Sequence, residues 1–179
     1  MTSKYLSSVL FLMLTLITFA QTDTTKQETI TESREKFWKN LPKPTGWMND
    51  FEKLYTDEEK YSLDSIIGSF QKLTTIEIAI VTLDTLVTSK EKFDELTLHI
   101  AKTWGVGLKE KNNGILIGIS KGHRIIRIQN GYGIEKLISD KETKEIIDTY
   151  FIPNFRNGEY YIGTLTGLTK LIELLNSKM

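Results

Sequence analysis

Two aspartates stand where a predicted strand gives way to a loop. Asp50 precedes the first predicted helix cap, Thr56, by six residues, and Asp84 follows the apolar segment 75–83 directly. Carboxylate oxygens are the ligands that hard cations such as Ca²⁺ and Mg²⁺ prefer. Asp50 and Asp84 are therefore candidate ligands of one divalent cation. The alternative for each aspartate is a hydrogen bond to its own local backbone, as in a capped turn.

A second polar group flanks a predicted hairpin. Asn112 and Asn113 precede one strand, and Glu135 follows the other within Asn-Gly-Tyr-Gly-Ile-Glu. Counting outward from the hairpin turn places Asn113 opposite residue 131 or 132. Amide, backbone and carboxylate oxygens there could form a calcium-type site. Ordinary turn chemistry explains the Asn-Gly pairs as well, because both residues tolerate positive φ.

The remaining inventory for catalysis is small. The chain has two histidines and no cysteine. His99 lies off the main apolar stripe of a predicted helix, which is typical of a surface residue. His123 lies in the hairpin turn and could be a general acid, a metal ligand or a structural residue. The chain has no Gly-x-Ser-x-Gly, no phosphate-binding loop ending in Gly-Lys-Ser/Thr and no His-Glu-x-x-His. Hydrolysis, if present, would have to be assisted by a metal ion.

Helices must position these residues. Three of the helices are predicted from capping boxes, in which a Ser or Thr side chain and a Glu three residues later bond each other's free backbone amides. The boxes are Thr56–Glu59, Thr88–Glu91 and Ser139–Glu142. Pro153 is expected to end the third helix. A fourth helix is predicted over 158–176, where apolar residues recur at helical spacing.

Strands are predicted between the helices, over 75–83, 114–119 and 124–128, with a short strand near 46–49. Gly122 is expected to supply the turn of a hairpin between the last two. The order β-α-β-α-β-β-α-α predicts an α/β fold, a three-layer α/β/α sandwich with a mixed sheet of about four strands.

The direction of the strands sorts the polar residues into two ends. Right-handed crossovers make the strand from residue 75 parallel to the strand from residue 114. Asp50, Asp84 and the hairpin turn then lie at the carboxyl edge of the sheet, where open α/β sheets usually bind ligands. Asn112 and Asn113 lie at the opposite edge, a strand length away, so the two groups cannot share one small site.

Composition narrows the class of protein. The chain has 179 residues, 40% hydrophobic and 26% charged, with a formal net charge of zero. Such fractions are typical of a folded domain. The charge balance argues against binding to nucleic acid, which requires a basic excess or a basic face.

The first twenty residues have the pattern of a secretory signal peptide. Lys4 is followed by the uncharged segment 5–19, and Ala20 ends it with Thr18 at the −3 position. The apolar run is shorter than the roughly 20 residues that a spanning helix needs, which disfavours the alternative of a retained anchor. The expected organisation is a signal peptide at 1–20, a disordered tether at 21–38 and one domain at 39–179. The expected product is exported, periplasmic or secreted, and monomeric.

Several stretches, taken in order, resemble the TPM domain family of exported bacterial and thylakoid-lumen proteins. They are Trp47-Met-Asn-Asp-Phe, Glu77-Ile-Ala-Ile-Val-Thr-Leu, Ala101-Lys-Thr-Trp-Gly-Val-Gly, Asn112-Asn-Gly-Ile-Leu-Ile, Arg124-Ile-Ile-Arg-Ile with Gly131-Tyr-Gly, and Ile152-Pro-Asn-Phe-Arg-Asn-Gly-Glu-Tyr with Gly163. The resemblance covers about residues 46–175.

The resemblance implies a Rossmann-like α/β/α sandwich and binding of calcium or magnesium. The acidic and Asn positions of the family fall here on Asp50, Asp84, Asn112 and Asn113. Some plant members are described as acid phosphatases, so one hypothesis is metal-dependent hydrolysis of a phosphate monoester. The alternative is a non-catalytic module, ordered by metal, that binds an envelope or secreted protein. Many bacterial relatives add a membrane helix after the domain; none is expected here, so we expect no membrane span after signal cleavage.

Overall fold

The computed structural model describes residues 27–179. The predicted signal peptide, 1–20, and residues 21–26 of the predicted tether lie outside the described residues. Residues 27–39 are helical (α1), although a disordered tether was expected over 21–38. Glu, Gln, Lys and Arg are strong helix formers, and Lys39 pairs with Glu35 one turn earlier at 3.3 Å. Local helix propensity and this ion pair favour a helix here although the segment has few apolar residues.

Residues Leu41–Met179 form a compact unit of their own, which holds a four-stranded sheet with helices. Within residues 27–179, no helix combines the length and apolar character needed to cross a membrane. The elements of the unit are β1 (Met48–Asp50), α2 (Asp57–Thr74), β2 (Glu77–Thr82), α3 (Phe93–Trp104), β3 (Gly114–Ser120), β4 (Ile125–Asn130), α4 (Tyr132–Glu135), α5 (Asp140–Ile146), a π-helical segment (Ile147–Phe151), α6 (Ile152–Arg156) and α7 (Tyr160–Lys178).

The sheet has the strand order β1-β2-β3-β4. The first three strands are parallel, and β4 runs antiparallel to β3 as the second strand of a hairpin. This arrangement confirms the predicted mixed sheet of four strands. Asp50 pairs with Thr82 across β1 and β2, and Thr82 pairs with Ile119 across β2 and β3. The ends of the three parallel strands are therefore level at the carboxyl edge.

Alternation along β3 places a helical layer on each face of the sheet. Ile115, Ile117 and Ile119 belong to the core cluster formed with α2 and α7. The intervening Gly118 faces α3, because a Cβ atom built on it would lie 2.3 Å from Cγ2 of Thr97. Both faces are covered, which is why β3 is buried along its whole length. The predicted α/β/α sandwich is confirmed.

Two of the three predicted capping boxes are present, at Thr56 and at Ser139. The prediction of a capping box at Thr88 is wrong. Helix α3 begins at Phe93 after Lys92, which makes no side-chain cap, and the hydroxyl of Thr88 donates to the carbonyl of Ser89. The buried stripe of α3 starts at Phe93, so tertiary packing sets the start of this helix.

Pro153 does not end the third predicted helix. The chain passes from α5 through the π-helical segment into α6, where Pro153 occupies the first turn. Proline cannot donate a bond to the preceding turn, and it stands directly after a turn that is already widened. The amide of Ile152 bonds the carbonyl of Ile147, five residues back, so the wider turn precedes the proline.

The hairpin turn also differs from its predicted form. Arg124 adopts the left-handed conformation, with φ of 52°, whereas Gly122 does not. Gly122 is needed for another reason, since a Cβ atom there would lie 2.5 Å from Cγ2 of Thr85. Close approach of two loops, and not backbone conformation, explains the glycine.

Candidate functional site

Asp50 ends β1 at the carboxyl edge, and both of its carboxylate oxygens accept hydrogen bonds. The hydroxyl of Thr82, beside it on β2, donates to Oδ1 at 2.6 Å. The amide of Tyr55 donates to Oδ2 at 2.9 Å. The first bond follows from strand register and the second from the loop that turns back into α2. Each oxygen keeps a further lone pair, so Asp50 is both a structural acceptor and a candidate ligand.

Glu52 is a third carboxylate at this edge, near Asp50 and Asp84, and was not among the predicted site residues. Its carboxylate accepts from the amide of Lys121 at 2.9 Å and from the amide of Gly122 at 3.3 Å. Its own amide donates to the hydroxyl of Thr82 at 2.9 Å. Glu52 therefore ties the loop after β1 to the hairpin turn. Nothing in the sequence pairs residue 52 with residue 121; its position two residues after Asp50 was the only available signal.

The environment of Glu52 disfavours its charged form. Burial of the carboxyl raises its pKa, and the negative charges of Asp84 and Asp50 act in the same direction. The two backbone amides, from Lys121 and Gly122, oppose this rise. The charges of Asp50 and Asp84 thus both reach Glu52 at this edge, the edge on which the direction of the strands placed the two aspartates.

Asp84 begins the loop after β2. Its Oδ1 accepts from the amide of Leu86 at 2.7 Å and from the hydroxyl of Thr85 at 3.4 Å. This is the local backbone bond that the sequence analysis held as the alternative to ligation. One side-chain oxygen serves the turn, and the charge of the carboxylate still acts on Glu52.

Two cations border the carboxyl groups. The ammonium of Lys121 lies 5.8 Å from the ring centroid of Tyr160. The pKa of Tyr160 is raised chiefly by burial and further by the charge of Glu52, while Arg124 lowers it. Glu52, Lys121, Arg124 and Tyr160 therefore form the outer part of the same edge, with both signs of charge.

Asn113 lies at the opposite edge, and its side chain is fully engaged. Its carbonyl oxygen accepts from the amide of Leu108 at 2.8 Å, and its NH₂ group donates to the carbonyl of Thr75 at 2.7 Å. Asn113 is 7% exposed. These bonds join the loop before β3 to the start of β2, a structural use of the amide.

Asn112 takes the left-handed conformation, with φ of 49°, and its carbonyl accepts from the amide of Gly133 at 2.9 Å. A Cβ atom on Gly131 would lie 2.3 Å from that same carbonyl oxygen. The glycines let the two backbones meet, which is the turn chemistry considered for these residues. Glu135 lies in α4 at the same edge.

The two edges are separate, as expected. Glu77 pairs with Gly114 at one end of β2 and Thr82 with Ile119 at the other. Five residue steps at about 3.3 Å each put the ends roughly 17 Å apart. Asp50 and Asp84 therefore share an edge that Asn112 and Asn113 do not reach.

The ring of His123 contacts the loop before α3. Its Nε2 lies 3.0 Å from the carbonyl oxygen of Thr88, so it links the hairpin turn to the loop before α3. Over residues 27–179, no three His, Asp or Glu side chains are grouped tightly enough to form a ready-made metal cage. At the carboxyl edge, Glu52 feels the charges of Asp50 and Asp84, and the cations of Lys121 and Arg124 lie nearby.

Comparison with protein families supplies the identification. The model of the TPM domain matches residues 48–174, from the start of β1 to the last turns of α7. The chain belongs to the TPM domain family. Among curated protein sequences, none is significantly similar to it.

Solved structures of other proteins share the fold of this TPM domain. The N-terminal domain of a protein from P. gingivalis is 28% identical, with a TM-score of 0.67, over 74% of this chain and 83% of that one. The BA42 protein from the psychrophilic bacterium Bizionia argentinensis is 21% identical, with a TM-score of 0.62, over 72% and 86%. The N-terminal domain of a Corynebacterium glutamicum protein is 13% identical, with a TM-score of 0.52, over 78% and 84%. The last two similarities concern the fold alone.

Proposed function

We propose that this TPM domain binds a divalent cation, Ca²⁺ or Mg²⁺, at the carboxyl edge of its sheet through Asp50, Glu52 and Asp84. The supporting observation is the electrostatic state of Glu52, whose pKa is raised by burial and by the charges of Asp84 and Asp50. A cation held among these carboxylates would offset the repulsion that Asp84 and Asp50 exert on Glu52, and the burial of Glu52. Hard oxygen donors are the chemistry that both cations require.

The arrangement favours partial over complete coordination by protein. Both oxygens of Asp50 already accept hydrogen bonds, and one oxygen of Asp84 serves its turn. Mg²⁺ commonly keeps several waters and takes only one or two carboxylates. Asp50 and Glu52 suit that mode, and Asp84, with one oxygen outside its turn, would contribute that oxygen or its charge.

Binding at this edge would order loops. Glu52 holds the amides of Lys121 and Gly122, so a cation on Glu52 would act on the hairpin turn as well as on the loop after β1. This connection supports a non-catalytic role, in which the metal orders a surface that binds an envelope or secreted protein.

Hydrolysis of a phosphate monoester is the second candidate, and the cations beside the carboxylates favour it. Lys121 and Arg124 are positioned near Glu52 and Tyr160, and such groups bind phosphoryl oxygens well. A bound divalent cation would supply Lewis-acid polarisation of the phosphoryl group.

Export of the protein, to the periplasm or outside the cell, is part of the proposal. It rests on the pattern of residues 1–20. Detection of the mature amino terminus at Gln21 in the exported fraction would support it, and an uncleaved chain in the cytoplasm would overturn it.

Amide NMR titrations with CaCl₂ and with MgCl₂ test the cation site. We expect saturable shifts at residues 50–55, 82–86 and 120–124 by roughly 10 mM cation, about ten times the weakest dissociation constant of extracellular calcium modules. Asp84→Asn should weaken the response, and Asp140→Asn, at the other edge, should not. Absence of a saturable shift would overturn the cation proposal, and shifts confined to Asn112, Asn113 and Glu135 would move the site to the opposite edge.

Hydrolysis of para-nitrophenyl phosphate, measured on the same samples, separates the two candidates. Cation-dependent turnover that is lost in Arg124→Gln would support the phosphatase. Saturable cation binding without turnover would support the non-catalytic module.

A further inference from the structure

Strand β4 leaves one backbone edge of the sheet unpaired. It is the last strand in the order β1-β2-β3-β4, and the amide of Gly131 bonds the carbonyl of Gly114 on β3. In an antiparallel ladder, residues that bond the neighbouring strand alternate with residues that do not. Counting back from Gly131, the backbone groups of Ile126, Ile128 and Asn130 point away from β3. Over residues 27–179, no other element bonds these groups. An edge of this kind is a template for another strand.

A groove of about 1110 Å³ runs along this edge. Its far wall is formed by α5, the π-helical segment and α6, through Thr143, Ile147 and Ile152. A π-helical turn inside a longer helical segment frequently marks a functional region. The groove is larger than the pocket of a typical small ligand, and its shape follows the strand.

Charge is distributed unequally along the groove. Lys121, Arg124 and Arg156 line it where β4 begins, and Glu135 and Asp140 line it where β4 ends. In the described part of the chain, none of the three cations forms an ion pair. Free cations at one end, next to unpaired backbone groups, are complementary to an anionic segment in extended conformation.

We propose that an extended acidic peptide of another protein adds as a fifth strand to β4, with its acidic side chains against Lys121, Arg124 and Arg156. Main-chain bonds to Ile126, Ile128 and Asn130 would supply the affinity common to strand addition, and the cations would select the sequence. A single strand would pair at about 4.8 Å from β4, whereas a second copy of the domain would bring its own helical wall to the same groove. The inference does not depend on the cation site.

The test is an amide NMR titration of the protein with the acetylated and amidated octapeptide TVTVTEDE. We expect shifts at Ile126, Ile128 and Asn130, with slowed hydrogen exchange of their amides, and a dissociation constant of roughly 1 mM or tighter. Two N-methylated forms of the peptide, each blocked at one alternate set of amides, provide the decisive control. Only the peptide that is methylated at the amides facing β4 should fail to bind.

Charge variants test the orientation of the peptide. Arg124→Gln and Arg156→Gln should each weaken binding roughly two- to five-fold, the range of an exposed ion pair. Lys102→Gln, which removes the same charge from α3, should leave it unchanged. A peptide with lysine in place of its three acidic residues should bind more weakly than TVTVTEDE.

Three results would overturn the proposal. One is the absence of saturable shifts along β4 by about 10 mM peptide, well above the weakest expected constant. Another is equal binding of both N-methylated forms. The third is a set of β4 shifts that depend on protein concentration without peptide, which would assign the edge to pairing between two copies.

Discussion

The hydroxyl of Tyr55 lies 2.8 Å from the hydroxyl of Thr164, joining the loop after β1 to α7. Tyr55 is 7% exposed and Thr164 is fully buried, and burial raises the pKa of the Tyr55 phenol. The same loop carries Glu52. A buried hydrogen bond between two hydroxyls therefore anchors the segment that forms one side of the candidate site.

Thr164→Val should destabilise the domain by about 1–3 kcal/mol, because the hydroxyl of Tyr55 would be left buried without its partner. The double variant Tyr55→Phe/Thr164→Val should lose less unfolding free energy than the two single variants lose in sum. Denaturant unfolding provides the measurement. Thr169→Val, at an exposed position of α7, is the matched control and should change stability by no more than about 0.5 kcal/mol. Equal losses of unfolding free energy in Thr164→Val and Thr169→Val would contradict this account.

Glu52 should make stability fall as the pH rises. Its pKa is raised in the folded state above the ordinary 4.5, so the folded state binds the proton more tightly than the unfolded state. Its contribution is present below pH 4.5 and lost as the pH rises through the folded-state pKa. The difference in unfolding free energy between wild type and Glu52→Gln should therefore decrease with rising pH above 4.5. MgCl₂ should reduce this decrease if the proposed cation site is present.

Glu142 should behave in the opposite way. Its bond to Lys178, supported by the amide and hydroxyl of Ser139, lowers its pKa to about 2. Its contribution is present above pH 4.5 and lost as the pH falls towards 2. The stability of wild type relative to Glu142→Gln should shrink over that interval in pH-dependent unfolding. Lys178→Gln should weaken the dependence, since Lys178 is the largest cause; an unchanged profile in that variant would contradict the assignment.

Gly167 allows α7 to approach the π-helical segment. A Cβ atom on Gly167 would lie 2.1 Å from Cε2 of Phe151, a fully buried ring. Gly167→Ala should therefore cost about 1–3 kcal/mol through overpacking. Gly68→Ala in α2 is the matched control, because its Cβ atom would meet only Trp47 at 3.4 Å; it should be neutral or stabilise by up to about 1 kcal/mol. Thermal unfolding of both variants checks the contrast, which would fail if Gly167→Ala were neutral.

Local chemistry predicted much of the architecture correctly. The capping boxes at Thr56 and Ser139 form because their partners lie three residues away, within reach of one helical turn. The same motif at Thr88 failed, since the buried stripe of α3 starts only at Phe93. At Pro153 a wider helical turn accommodated a residue expected to end the helix. Where packing and local preference disagreed, packing decided.

The sequence by itself determined the order of the four strands and of the longer helices between them, the layers and the edge that Asp50 and Asp84 share, because hydrophobic period and crossover handedness leave few alternatives. Only the tertiary structure decided that Glu52 joins them and that Asn113 is committed to Leu108 and Thr75. The groove beside β4 also emerged only there. These relationships depend on contacts between residues far apart in the chain, such as Glu52 and Lys121, whose geometry exists only when the sheet, turns and helices have packed.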